Sequence, residues 1–339
     1  MNIITLVAID LAKSSFHIHA VTESGRRVTS KAVRRKHLFE TVVKLAPKYV
    51  AFEACGSSHY WAQRFIAEGF EVRMIPAQFV KPFVKTNKSD KADAEAIAIA
   101  ALHPGTRFVP VKSLYQQDMQ ALHKERERLI ANRTALCNQL RAILSERGEI
   151  TSQGRSKLID LSRELLERES QFVSGNCKMQ INRLLREYSV INELIEEVET
   201  QISRMASEQD DCRRLQEIPG VGLITATALV AAIGDKSQFK SGRHLAAWIG
   251  LTPRHSGTGG KTRILGMSKR GNPMLRRLLI QGASSSLRWV DRREDQVSRW
   301  ASQVKERRGV NKAKVALANK TARIIYAVLC KGQDFRLAA

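Results

Sequence analysis

Residues 3–21, IITLVAIDLAKSSFHIHAV, decide the reading of the first third of this 339-residue chain. Ile3 to Ile9 is an apolar, β-branched run that ends at Asp10. From Ser15 to Thr22 the pattern alternates, with Phe16, Ile18 and Ala20 on one face and His17 and His19 on the other. A period of two residues marks a strand. Glu23-Ser24-Gly25 is a turn signal, and Arg27 to Val33 reads as a third strand. Tyr49 to Phe52 is a short strand of buried type that ends at Glu53. A helix is expected over His59 to Glu68, closed by Gly69. Another strand follows over Glu71 to Ile75, then an alanine-rich helix from Asp90 to Ala101, starting near Ser89. A hairpin followed by strand–helix units is an α/β domain.

Four acids stand at chosen places in that order. Asp10 and Glu53 close two strands, and Asp90 and Asp93 lie three apart at a helix start, so both can project from one face. Carboxylates gathered this way repel unless a cation neutralises them, and hard oxygen donors suit Mg²⁺ or Mn²⁺. Two such ions about 4 Å apart form a clamp for phosphodiester displacement. The competing reading is local: Asp90 favoured by the helix dipole, Asp93 a surface residue.

The middle of the chain is helical. Leu122, Leu129, Leu136 and Ile143 recur every seven residues, with Arg126 and Arg133 interrupting the core positions. A second run is unbroken: Ile181, Leu184, Tyr188, Ile191, Ile195, Val198, Ile202 and Met205 alternate steps of three and four. Such a stripe must be covered, either by the first helix in a hairpin or by another copy in a coiled coil. Arg126, Arg128, Arg133 and Arg141 are candidate RNA contacts or a solvated helix face.

Two signals lie further on. In LQEIPGVGLITATALVAAIGD (215–235), Pro219-Gly220-Val221-Gly222 is a tight turn between apolar helical patterns. It resembles a helix-hairpin-helix, where backbone N–H groups near Gly220 and Gly222 approach a phosphate without reading sequence; the alternative is a plain packing corner. In LAAWIGLTPRHSGTGGKTRILGMSKRGNPMLRRLLIQGA (245–283), the chain between Pro253 and Gly266 is expected to be a loop. It carries the hydroxyls Ser256, Thr258 and Thr262 and the cations Arg254, Lys261 and Arg263, with Lys269 and Arg270 beyond. A serine among glycines and cations can approach a phosphate closely and have its developing alkoxide stabilised. Taken alone, the segment reads first as a phosphate-contacting loop without covalent chemistry. His255 receives no role.

Charge and composition narrow the partners. The formal net charge is +23, and from Lys236 to Ala339 there are 23 Lys or Arg against 5 Asp or Glu. A region that basic argues for a polyanion, with strongly salt-dependent binding. No apolar run approaches the ~20 residues a spanning helix needs, and the longest, Ile224 to Ile233, holds two threonines. The N-terminus lacks a basic segment and carries Asp10 early, so a signal peptide is not expected. Five cysteines without a CxxC pair argue against disulfide or cysteine–zinc scaffolds and fit a reducing compartment.

The motifs VAIDLAK (7–13), AFEACG (51–56) and KSDKADAEAIA (88–98), with the two later segments, resemble the RNA-guided insertion-sequence transposases, also called bridge recombinases. The resemblance covers essentially the whole chain. It implies an RNase H-like (RuvC-like) DEDD domain over residues 1–108, a central helical coiled-coil domain over 109–208, and a mainly α C-terminal transposase domain over 209–339. It implies that Asp10, Glu53, Asp90 and Asp93 bind metal and that Ser256 is the nucleophile, with Thr258 the near alternative. The implied partners are donor and target DNA, a structured guide RNA and further copies of the chain, in a dimer or tetramer. The implied setting is the cytoplasm of a bacterium or archaeon, at the nucleoid and not in a membrane. Two competitors remain open at this point: a metal-dependent structure-specific nuclease such as a junction resolvase, which needs the acids but not Ser256, and a non-catalytic nucleic-acid scaffold.

Overall fold

The structure is a computed structural model and describes residues 3–84, 89–152 and 154–336. The chain divides into two compact units, up to Ser113 and from Leu114 onward.

In the first unit the strands are β1 (Leu6–Asp10), β2 (Ser15–Val21) and β3 (Arg27–Arg34). Helix α1 (Leu38–Leu45) leads to β4 (Tyr49–Glu53), α2 (Ser58–Ala67) and β5 (Glu71–Ile75). The short α3 (Ala77–Val80) and then α4 (Asp90–Leu102) follow. The sheet order is β3-β2-β1-β4-β5. β1, β2 and β3 pair antiparallel, while β1, β4 and β5 run parallel. Leu6, Val7, Ala8 and Ile9 are all fully buried, as expected of a central strand covered on both faces.

The two faces separate by parity. Val7, Ile9, Phe16, Ile18, Val50 and Phe52 pack under α1 and α2, with Trp61 and Phe65 filling that layer. Leu6, Ala8, Val21, Ala51 and Ile75 pack under α4. That helix contributes Ala96, Ala98, Ala100 and Ala101 to this layer, small side chains that let it lie close. Ser89 caps it, its Oγ accepting from the Ala92 N–H at 3.3 Å. The expected elements are all present; α1 is an addition, its Leu38 and Val42 spaced by one helical turn and buried.

The second unit is mostly helical. It starts with α5 (Leu114–Ser145), α6 (Arg155–Glu167) and α7 (Gly175–Ser207). The α7 stripe is covered inside the chain: Ile181, Ile191, Ile195, Val198 and Ile202 share one core with Leu122, Leu129, Leu136 and Leu140 of α5. Arg126 and Arg133, which look like flaws in the α5 seam, meet partners across it. Arg126 Nε donates to Glu199 at 2.7 Å, and Arg133 donates to Asn192 Oδ1 at 2.7 Å. The hairpin alternative is therefore the one the fold adopts, and the stripe itself does not require a second copy.

Helices α8 (Asp210–Gln216), α9 (Leu223–Ile233) and α10 (Gly242–Ile249) come next. Strands β6 (Pro253–Thr258) and β7 (Lys261–Met267) precede α11 (Pro273–Leu287), α12 (Gln296–Arg308) and α13 (Val310–Lys331). The apolar run read in α9 is core, with Ala226, Ala228, Leu229 and Ile233 buried beside Leu245, Leu279 and Ile325. Among the described residues no helix is long and apolar enough to cross a membrane.

Candidate active site and nucleic-acid interface

Strand register assembles the first group of residues. β1 and β4 pair in parallel with Ile9 beside Phe52, so Asp10 and Glu53 follow as neighbours on adjacent strands, about 5 Å apart at the backbone. Asp10 pairs antiparallel with His17 of β2. Side chains directly opposite in a sheet share a face. Asp10, Glu53 and His17 therefore all belong to the face that α4 covers, at the end where α4 begins. Asp90 and Asp93 lie in the first turn of that helix. His17 feels the charges of Asp90 and Lys91, and its Nε2 lies 2.9 Å from Ser30 Oγ. Burial lowers its pKa; Asp90 opposes this and Lys91 reinforces it. Cys55 senses both strand acids: burial pushes its thiol up, and the negative fields of Glu53 and Asp10 push it further.

The donor chemistry fits a hard divalent cation, since all four candidates are carboxylates. Their placement is partial. Two acids are brought side by side by the sheet and two begin the covering helix, but among the described residues no group of three or more His, Cys, Asp or Glu is gathered closely enough to hold a metal ion. His17 is the residue that sequence reasoning passed over. Its signal was its alternation with His19, which only the register turns into proximity to Asp10.

The segment expected as a loop between Pro253 and Gly266 is a two-stranded ribbon, and this corrects the sequence reading. Gly259 and Gly260, with φ of 58° and 78°, form the two-residue turn that joins β6 to β7. The Gly-Gly pair was the available signal. It was masked because the strands lack an apolar face: every residue of β6 is exposed, and so are Ile264 and Leu265 of β7. Ser256 pairs with Arg263, and Thr258 pairs with Lys261. Residues two apart on a strand share a face, so both hydroxyls and both cations lie on one side of the ribbon. The register shifts between Pro253 and His255, next to Arg254. At the base, Lys269 is held at φ 54°, a left-handed backbone that is uncommon for a lysine, with Arg270 beside it.

The Pro219–Gly222 turn serves two ends. Gly220, at φ 84°, lies against α11, where a Cβ would come 2.6 Å from the Gly282 carbonyl oxygen and 2.7 Å from Ser286 Oγ. That glycine is dictated by packing. Gly222 is the N-cap of α9, with open space around its Cα. The packing corner is real at Gly220, while Gly222 opens α9 with nothing packed against it. Arg126 and Arg133 are engaged within the α5–α7 hairpin, and Arg141 donates to Asn138 at 3.1 Å.

Comparison with known proteins gives a consistent outcome along the chain. Residues 7–147 match the DEDD transposase family of the IS110 type, and residues 212–298 match the transposase IS116/IS110/IS902 family. The chain is 41% identical to a transposase for insertion sequence element IS1111A of Coxiella burnetii, over all of this chain and 93% of that protein. It is 40% identical to a probable family 20 transposase of Pseudomonas aeruginosa, over 97% of this chain and 98% of that one. It is 36% identical to a transposase for insertion sequence element IS1328 of Yersinia enterocolitica, over 98% of each.

Proposed function

The chain belongs to the IS116/IS110/IS902 family of insertion-sequence transposases, and from that premise we propose that it cuts and rejoins DNA through a covalent phosphoserine, guided by RNA. The strand register that sets Asp10 beside Glu53, on the face covered by the helix bearing Asp90 and Asp93, supports the metal half of this reading, and the exposed ribbon that pairs Ser256 with Arg263 supports the serine half. In this reading the DEDD domain spans residues 1–108, the helical domain 109–208 and the serine domain 209–339.

Asp10, Glu53, Asp90 and Asp93 would hold Mg²⁺ or Mn²⁺, which when bound offsets the charge that builds on a phosphodiester in displacement. Ser256 Oγ attacks the phosphorus, its own proton passing to the DNA oxygen that leaves. The P–O bond to DNA is replaced by a P–O bond to serine, so bond energy is kept and rejoining needs no ATP. Arg263, paired with Ser256, and Lys261 steady the phosphate, and Arg254 flanks it. Gly222, Lys269 and Arg270 hold the backbone of the nucleic acid further along. Gly220 contributes by setting the turn. Thr258 shares the serine's face and is the alternative nucleophile.

The exposed ribbon supports this part of the reading, because a nucleophile that must reach a duplex has to stand clear of the fold. A structured RNA would choose donor and target by base pairing, and the protein would recognise it by shape and phosphates. Two or four copies would bring the DEDD group of one chain to the serine of another, on the bacterial nucleoid. The test is reconstitution with guide RNA, donor DNA, target DNA and Mg²⁺. Joined product is expected only when all four are present, and Asp10→Asn should remove it. Cleavage without joining, unaffected by Ser256→Ala, would instead indicate a structure-specific nuclease.

A further inference from the structure

A cavity of about 430 Å³ opens between the second half of α4 and the β2–β3 hairpin. It lies on the same face of the sheet as Asp10, but at the opposite end of β2. From Asp90 to Ile99 along α4 is about 13 Å at the rise of a helix. The cavity walls are the His19 ring, Ile99 and Leu102, and its mouth carries Arg26, Arg27 and Glu95. His19 is only 5% exposed, and its Nδ1 is one of four buried side-chain polar atoms among the described residues that have no hydrogen-bond partner. Orphaned polar atoms cost stability and are rare in folded cores, so this one calls for an explanation. The lining is an even mixture of polar and apolar surface with charges of both signs, and the volume is that of a small-molecule site.

We propose that this cavity binds one nucleotide unit of a nucleic-acid strand, the base against Ile99 and Leu102 and the phosphate at Arg26 and Arg27. This deepens the reading of the chain as a nucleic-acid enzyme and rests on it. The mixed charge points to a nucleotide over a bare anion. Two arginines favour a phosphate, but Glu95 beside them repels a small anion that settles deep. The same carboxylate accepts hydrogen bonds from a base amino group or a sugar hydroxyl. His19 forms part of the wall, its unpartnered Nδ1 closed to solvent. The Ile99 and Leu102 side chains give a base an apolar surface that inorganic phosphate cannot use. A strand with one nucleotide seated here would continue along α4 toward Asp90.

The test uses the full chain with ¹³C-labelled isoleucine δ1 methyls, titrated with AMP, dAMP, ribose 5-phosphate and inorganic phosphate. The Ile99 signal is assigned by its loss in Ile99→Ala. It should move with AMP or dAMP and stay within a tenth of that shift with ribose 5-phosphate or phosphate. Arg27→Glu should weaken the binding at least tenfold, and Glu95→Ala should narrow the gap between AMP and phosphate; both positions are exposed, so the melting temperature should hold. A preference for AMP assigns the strand to RNA, and equal or tighter binding of dAMP assigns it to DNA. An Ile99 signal that ignores all four ligands, or follows phosphate as strongly as AMP, overturns the proposal. Neither outcome touches strand cleavage by the acids, which is read separately through Asp10→Asn.

Discussion

Asp10 and Glu53 end two adjacent parallel strands as neighbours, on the face of the sheet that the Asp90 helix covers. Two carboxylates so placed should couple folding to a divalent ion. Mg²⁺ at ten times its dissociation constant would add about 1.4 kcal/mol to stability by linkage. A melting temperature that rises with Mg²⁺ in the wild type and stays flat in Asp10→Asn and Glu53→Gln is the expected result. An equal rise in all three proteins would place the ion elsewhere.

His123 of α5 lies within 3.0 Å of the Thr227 hydroxyl of α9, and burial pushes its pKa down from 6.5 to about 4, with Arg126 adding to the fall. The folded state thus keeps the neutral ring. Stability from this group is complete above about pH 6.5 and is lost as the pH falls toward 4, by roughly 3 kcal/mol. Urea unfolding of the wild type and of His123→Gln at pH 7.5 and 4.5 checks this. The variant should be weaker at pH 7.5 yet lose less on acidification. The same acid loss in both would contradict the assignment.

Gly220 and Gly222 should behave differently. Alanine at 220 meets backbone at 2.6 Å in a left-handed conformation, so it should cost about 2–4 kcal/mol. Alanine at 222 has open space and should cost under about 1 kcal/mol, while weakening DNA binding. Thermal melts and a filter-binding curve separate the two effects.

Much of the first unit was legible because its strands carry strong periods and its acids close two of them. What the sequence could not show is register: the approach of His17 to Asp10 exists only because β2 folds back antiparallel on β1. The α5–α7 hairpin is undecided in the sequence because the unbroken α7 stripe can be covered by α5 or by another copy, and only the partners Glu199 and Asn192 explain Arg126 and Arg133 in the weaker α5 seam. The ribbon around Ser256 was misread because exposed strands have no apolar alternation to detect, leaving Gly259-Gly260 as its sole mark. Helix α1 went unread although Leu38 and Val42 carry its buried side.

Since the α7 stripe is covered within one chain, Ile195→Ala should cost about 2–4 kcal/mol at any protein concentration. The difference between wild type and Ile195→Ala should be the same across a hundredfold dilution, whatever copies assemble elsewhere. A difference that changes with dilution would show that another copy completes this core.

On the ribbon, Lys261→Ala and Arg263→Ala should each lower the slope of log affinity against log salt by about one, if each cation meets a phosphate. An unchanged slope in both would remove the ribbon from the interface.

The central claim, a serine that joins the protein to DNA, is tested most directly by trapping. The wild type, Ser256→Ala and Thr258→Ala are incubated with guide RNA, end-labelled DNA and Mg²⁺, then denatured and resolved by mass. The account predicts labelled protein for the wild type and Thr258→Ala, none for Ser256→Ala, and a DNA-modified peptide containing Ser256. An adduct that survives in Ser256→Ala, or strand joining by the wild type with no adduct at any time, would contradict it.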